Sequence, residues 1–403
     1  MRINAATSAR RTRAAASGRR ALVHSFYEFF AGGGMARAGL GENWSCLFAN
    51  DFDPKKAAVY EANWGGEHLA VGDVAKVAAH DLPGRAHLAW ASFPCQDLSL
   101  AGGGAGLRGE RSGTFWPFWR LIRKLGGEGR APPLVVLENV NGALTSHGGK
   151  DFAAIGEALA TAGYRFGALI VDAIHFVPQS RPRLFIVAVQ ASHDVPLDVL
   201  ASEPDPVWHP PALRMAREAL SPAAKAQWIW WNLPTPPRRN IAFVDLIESE
   251  PAGVRWHTAA ETKKLIGMMS PVNLKKLREA QALSQFQVGA VYKRTRPDKN
   301  GVKRQRAEIR FDDVAGCLRT PAGGSSRQTI MIVEGKSVRS RLLSPREAAR
   351  LMGLSDSYRL PTNYNDAYHL AGDGVVVPAV RFLATNLLEP ILAAGRAVRR
   401  RAA

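Results

Sequence analysis

The strongest constraint on this chain is an order of elements. Residues 23–30 are apolar and aromatic and read as a strand. They run into Ala31-Gly32-Gly33-Gly34, and a helical pattern follows over 35–40. Residues 45–49 read as a second strand closing on Asn50 and Asp51, and 54–64 as a helix. Further strands are expected at 87–92, 134–137 and 184–189, with helices at 115–125 and 152–162. Strands alternating with helices predict an α/β fold built on a doubly wound, mostly parallel, Rossmann-like sheet.

After residue 190 the texture changes. Residues 191–315 are rich in Pro, Trp and basic side chains with weak periodicity, and are expected to form a smaller inserted domain. From 316 to 395 the chain is expected to finish that domain and return to the first. Ser344, Pro345 and Glu347 have the spacing of a capped helix over 344–352, and 375–388 reads as a last helix. Residues 21–190 make the expected catalytic domain. Residues 1–20 read as a basic arm and 396–403 as a basic tail.

Charge narrows the partner. Lys and Arg number 53 against 35 Asp and Glu, a net charge of +18 over 403 residues. Such an excess favours a polyanion, although an Arg- and Ala-rich genome gives the same composition. Three scattered cysteines exclude a disulfide framework and a paired-Cys zinc site. No apolar run reaches the ~18 residues of a membrane span, and residues 1–20 hold no apolar core of the kind a secretory signal has.

The glycine loop lies where ligands bind in such sheets, at the carboxyl ends of strands. Asp51 closes the next strand, and Asp73, followed by Val74, would close another unit. No Gly-Lys-Ser/Thr follows the loop, so the ligand need not carry phosphate. An adenosine ligand fits, as a dinucleotide or as S-adenosylmethionine. Either Asp could equally be a helix cap or turn residue.

Three fragments add chemistry. Ser92-Phe93-Pro94-Cys95-Gln96 places a cysteine just after a buried strand, before a Gly102-Gly103-Gly104 stretch with the character of a lid. Glu138-Asn139-Val140 ends another strand, and Gln179-Ser180-Arg181-Pro182-Arg183 precedes a third. Each alone is commonplace. Together they put Cys, Glu and Arg at the ends of one sheet.

In this order the fragments resemble the DNA (cytosine-5) methyltransferases, over about residues 23–190 and 316–390. Arg341 to Glu347 and Gly372-Asp373-Gly374-Val375 add to the resemblance. The resemblance implies S-adenosyl-L-methionine as cofactor and double-stranded DNA as substrate. It implies Cys95 as nucleophile on cytosine C6, Glu138 as acid at N3, and Arg183 with Arg181 toward the base. It also implies base flipping, a property of methyltransferases as a class. For the cofactor it implies Phe30, Gly32, Gly34, Asp51, Phe52, Asp73, Val74, Pro94 and Asp373, and for the DNA gap, Gln96. The chain departs from the family pattern at Glu28, Met35, Leu98 and Asp373.

The basic residues Arg294, Arg296 and Arg304, with Arg319 and Arg327 beyond them, are expected to meet DNA. The Trp cluster at 228–231 reads as core of the small domain. No metal is expected. The chain is expected to act as a monomer in the bacterial cytoplasm, at the nucleoid, with a cognate restriction endonuclease as functional partner. A tRNA cytosine-5 methyltransferase and an inactive DNA-binding regulator are the alternatives.

Overall fold

The computed structural model describes residues 24–94, 107, 112–283, 285–297, 301–320 and 327–402. Cys95, Gln96, Leu98, the 102–104 glycines and the basic arm at 1–20 lie outside them.

Seven strands form the first sheet: β1 (His24–Phe29), β2 (Trp44–Asp51), β3 (Leu69–Val71), β4 (Leu88–Ala91), β5 (Leu134–Val140), β6 (Tyr164–Asp172) and β7 (Pro182–Gln190). Their order is β3-β2-β1-β4-β5-β7-β6. All neighbours run parallel except β7, which is antiparallel to both β5 and β6. The chain order reverses between β1 and β4, so that pair is the switch point where a crevice opens. The glycine loop leaves β1 there, and the Pro94 segment leaves β4 beside it.

Helices α1 (Met35–Leu40), α2 (Pro54–Trp64), α3 (Phe115–Gly127) and α4 (Lys150–Thr161) cover the sheet. Helix α3 shows why: Phe115, Phe118, Trp119, Ile122 and Leu125 repeat on one face and are buried. Helix α2 starts at Asp53, whose side chain accepts from the Lys55 N–H, and Pro54 takes the first position. Strands β3 and β6 escaped the sequence reading. The first is three residues long. The second, YRFGALIVD, carries an apolar run that period analysis could have found.

The short strands β8 (Leu200–Ala201) and β9 (Trp230–Trp231) pair with each other. Between them lie α5 (Pro211–Glu218) and α6 (Pro222–Ala226). The tryptophans here are core, but not of a separate small domain. Trp231 is buried and donates to the Val187 carbonyl of β7, and Trp228 packs edge-on against Phe166 of β6. Large aromatic surface is buried most economically against an existing sheet face.

After α7 (Ala259–Gly267) and α8 (Pro271–Ala282) comes the second sheet. It comprises β10 (Gln287–Pro297), β11 (Lys303–Arg310), β12 (Thr329–Glu334) and β13 (Ser337–Leu342), antiparallel, in the order β11-β10-β12-β13. Val291, Ala307, Ile309, Met331 and Val333 pack with Leu265 and Leu277 of the two helices into its own core.

The chain then returns to the first sheet through α9 (Pro345–Leu351), α10 (Tyr364–Asp373), α11 (Val377–Leu383) and α12 (Glu389–Ala402). Ser344 and Glu347 form the expected capping box. The expected helix over 375–388 is α11 plus a π-helical turn at Ala384–Leu388. The helical run Tyr364–Gly395 is long and apolar enough to span a membrane by composition, but over half of its most apolar window is buried in the protein. Its hydrophobicity is that of a core element.

Candidate active site

One cavity opens at the switch point. Phe30, Gly32, Asp51, Phe52, Pro94, Glu138, Arg181, Arg183 and Asp373 all line it. Gly34, Asp73 and Val74 do not. Gly34 caps α1 and backs onto the Trp64 indole. The Asp73 carboxylate accepts from the Ala75 N–H, the cap role open to it from sequence, and Val74 is buried in the core.

The glycine loop is a cradle. Phe30, Gly32 and Gly34 all have positive φ, the first a conformation L-residues rarely adopt. A Cβ at Gly32 would project into open space. Asp51 is buried and accepts from the Gly32 N–H at 2.8 Å and the Asp53 N–H at 2.9 Å. Burial holds its carboxyl above the usual range. Phe52 beside it is 75% exposed on the cavity rim. Glu28 is buried at the floor, and its Oε2 has no hydrogen-bond partner. Desolvation pushes its pKa up to about 8. Lys56, absent from the sequence reading, lines the same wall and donates to Asp373 Oδ2 at 2.6 Å.

These features fit an adenosyl-amino acid. An aromatic face is available for a purine, an acid stands at the strand end for ribose hydroxyls, and a buried carboxyl with one unpartnered oxygen lies at the floor.

The other end of the cavity brings together Glu138, Arg181 and Arg183. Glu138 ends β5, and its Oε1 lies 3.4 Å from Arg183 Nε. Burial raises its pKa, while Arg183, Arg181 and a hydrogen bond with Ser92 act to lower it. Asn139 donates to the Phe93 carbonyl at 3.1 Å, which ties β5 to the segment leading into Pro94 and Cys95. A carboxyl whose pKa is raised by burial is better suited to proton donation than an exposed one.

Arg181 plays a different part from Arg183. It is buried, and its guanidinium donates to the carbonyls of Leu318, Gly372 and Gly374 at 2.7–2.9 Å. It pins two loops to the sheet instead of facing the cavity centre with a free fork. Its chain neighbour Gln179 is likewise buried, with its amide between the Leu351 carbonyl and the Leu318 N–H.

A second, basic cleft lies between the two sheets. Arg294, Arg319 and Arg327 line it with Lys276, Lys293, Tyr292 and Cys317. Lys276 and Cys317 carried no sequence signal, because only the fold brings α8 and the 313–320 loop to face β10. Arg296 and Arg304 do not line the cleft. They oppose each other across the β10–β11 ladder, and Arg296 donates to Glu308 at 2.8 Å. Among the described residues no group of three or more His, Cys, Asp or Glu could hold a metal ion.

The family model of C-5 cytosine-specific DNA methylase matches residues 24–389. The Type II methyltransferase M.HhaI of Haemophilus parahaemolyticus is 24% identical over 90% of this chain and 93% of its own length. M.BsuFI of Bacillus subtilis is 34% identical, over 42% of this chain and 40% of its own length. Among solved structures, the Dnmt2 methyltransferase of S. pombe superposes with a TM-score of 0.55 at 16% identity, over 91% of this chain and 99% of that one. The Entamoeba histolytica methyltransferase EhMeth gives 0.57 at 14% identity, over 92% and 98%. At those identities the likeness to the solved structures is one of fold.

Proposed function

The chain belongs to the C-5 cytosine-specific DNA methylase family, and on that premise we propose how its residues divide the work of sequence-specific cytosine methylation. The observation that carries this reading is a shared cavity. The cradle of Phe30, Gly32 and Asp51 opens directly onto the Glu138–Arg183 pair and onto Pro94, the residue before Cys95.

S-adenosyl-L-methionine supplies, when bound, an electrophilic methyl group on a positively charged sulfur. Phe52 would take the adenine, Asp51 the ribose, and Glu28 and Asp373 the amino acid end. Cytosine C5 is a weak nucleophile until C6 is attacked. Cys95 adds to C6, forming an S–C6 bond, while Glu138 gives its proton to N3. The electron pair this releases is placed on C5. Arg183 holds the base edge beside Glu138, and Arg181 holds the loops that frame it. As C5 takes the methyl the sulfonium S–CH3 bond breaks; the C5 proton then leaves to a base, the S–C6 bond breaks to restore the Cys95 thiolate, and the N3 proton returns to Glu138.

A stacked base cannot reach this cavity, so the cytosine enters flipped out. The basic cleft beside it would take the duplex, with Arg294, Arg319 and Arg327 on phosphates or base edges. Gln96 would fill the gap in the duplex. The Type II names of the relatives make a cognate restriction endonuclease the functional partner we expect. Monomeric action at the nucleoid is part of the same proposal.

The experiment is methyl transfer from tritiated S-adenosylmethionine to unmethylated DNA and, separately, to bulk tRNA, with Cys95→Ala alongside. Label at C5 of DNA cytosine, lost in the variant, is the expected result. Label confined to tRNA, or label that survives in Cys95→Ala, overturns it.

A further inference from the structure

Two cysteines lie among the described residues, in opposite surroundings. Cys46 is buried in β2 with its thiol 3.5 Å from the Tyr60 hydroxyl. Burial pushes that thiol up to about 11, which makes it inert. Cys317 is only partly buried, on the loop after β11, where it lines the basic cleft. Its sulfur accepts from Arg181 Nη1 at 3.4 Å and from Arg183 Nη2 at 3.8 Å. The two guanidiniums outweigh desolvation and hold this thiol below its ordinary range.

Arg183 therefore stands between two groups. Its Nε faces Glu138 and its Nη2 faces Cys317. Arg181 is fixed by three carbonyls. Arg183 donates to one, that of Pro182, so its neighbours decide where its charge is felt.

We propose that Cys317 is a positioning residue of the methyl-transfer reaction, its sulfur holding Arg183 on the cleft side of Glu138. The inference rests on the reading of Glu138 as the acid at N3. Donation there needs a protonated carboxyl. A guanidinium 3.4 Å away favours the carboxylate, and a sulfur acceptor on the far side of the guanidinium opposes that pull. Without the sulfur, the full charge of both arginines acts on Glu138. Other groups also face this sulfur. Tyr368 of α10 lies within electrostatic reach, and Tyr292 of β10 packs on the adjoining Gly316. Arg319 stands two residues along, and Arg294 and Arg327 share the cleft. Glu308 also lines the cleft, but its carboxylate is engaged by Arg294 and Arg296 on the hairpin.

The test compares Cys317→Ala and Cys317→Ser with the wild type over a pH series, measuring kcat and the KM for DNA. In parallel, iodoacetamide labelling of the Cys317 peptide is followed against pH in the wild-type full-length chain. The expected result is an alkaline limb of kcat displaced downward by ~1 pH unit in Cys317→Ala, with KM changed far less. Cys317→Ser, which keeps an acceptor but no thiolate, should fall between. Labelling should reach half its maximal rate below the ~8.5 of a free thiol. An unchanged pH profile in both variants overturns the proposal. So does an equal loss of rate at every pH, which is what a structural role gives, and so does labelling with an ordinary thiol midpoint. A wild-type chain that transfers no methyl to DNA overturns the parent reading instead.

Discussion

Met35 occupies the space that a side chain on residue 374 would need. A Cβ built on Gly374 falls 2.1 Å from Met35 Sδ and 2.9 Å from its Cε. Both residues line the switch-point cavity, one at the start of α1 and the other just past α10. The methionine at this departure from the family pattern is therefore matched by a bare backbone opposite.

Gly374→Ala should consequently displace Met35 into the cavity. Its φ of −71° suits alanine, so the effect is steric and not conformational. We expect S-adenosylmethionine affinity to fall several-fold, with recovery in the Met35→Ala, Gly374→Ala double variant. Calorimetric titration of the four proteins closes the cycle, and additive losses would show that the two positions are independent.

Glu28 makes stability depend on pH. Its folded pKa of about 8 lies above that of an unfolded glutamate, so the folded state keeps a proton the unfolded state has lost. Its contribution is full below the unfolded value, near 4.5, and is lost as pH rises toward 8. Glu28→Gln should remove that slope. Thermal melts without cofactor from pH 5 to 9 should converge at the acid end and separate at the alkaline end, with the variant the more stable.

With Glu138 as the proposed acid at N3, the Glu138–Arg183 pair is expected to set the alkaline limb of turnover. Arg183 acts to lower the Glu138 pKa against the burial that raises it. Removing the guanidinium should extend protonation of Glu138 to higher pH. Arg183→Ala should thus shift the alkaline limb of kcat upward while weakening base binding. Glu138→Gln should lose ~10²–10⁴ in kcat with cofactor affinity retained. Rapid-quench transfer assays separate the two behaviours.

Arg341 and Glu347 form a fully buried bidentate ion pair, with nitrogen–oxygen distances of 2.6 and 2.7 Å. Glu347 also accepts from the Ser344 and Glu248 N–H groups, so it ties β13, α9 and the segment after the short 3-10 turn at Val244–Leu246. Glu347→Ala would strand the guanidinium out of water. A loss of roughly 3–5 kcal/mol in unfolding free energy is expected from denaturant melts. A loss below ~1 kcal/mol would mean that water reaches the site.

Arg296 and Arg319 should separate in DNA binding. Arg319 lines the cleft, whereas Arg296 is engaged by Glu308 on the hairpin. Arg319→Ala should weaken DNA binding and, if it meets a phosphate, reduce the salt slope by ~1, with a much smaller effect for Arg296→Ala. Affinity measured across a salt series, with cofactor product present, distinguishes them.

The linear sequence determined the parts of this protein that are written locally. Strand period, the glycine loop after β1, the Ser344–Glu347 cap and the strand-end Glu138 all depend on residues within a few positions of each other. Those signals were enough for the α/β class and for the order of the chemical fragments. Tertiary structure alone decided which charges neutralise which. It gave Arg181 to three carbonyls on distant loops and Arg183 to Glu138, although the two arginines are neighbours in sequence. It set Lys56 on Asp373, and brought Cys317 against the arginine pair across more than 130 positions. It also turned the Trp228–Trp231 cluster onto β6 and β7. Electrostatic and packing partners are chosen by distance in space, and chain separation carries almost no information about that distance.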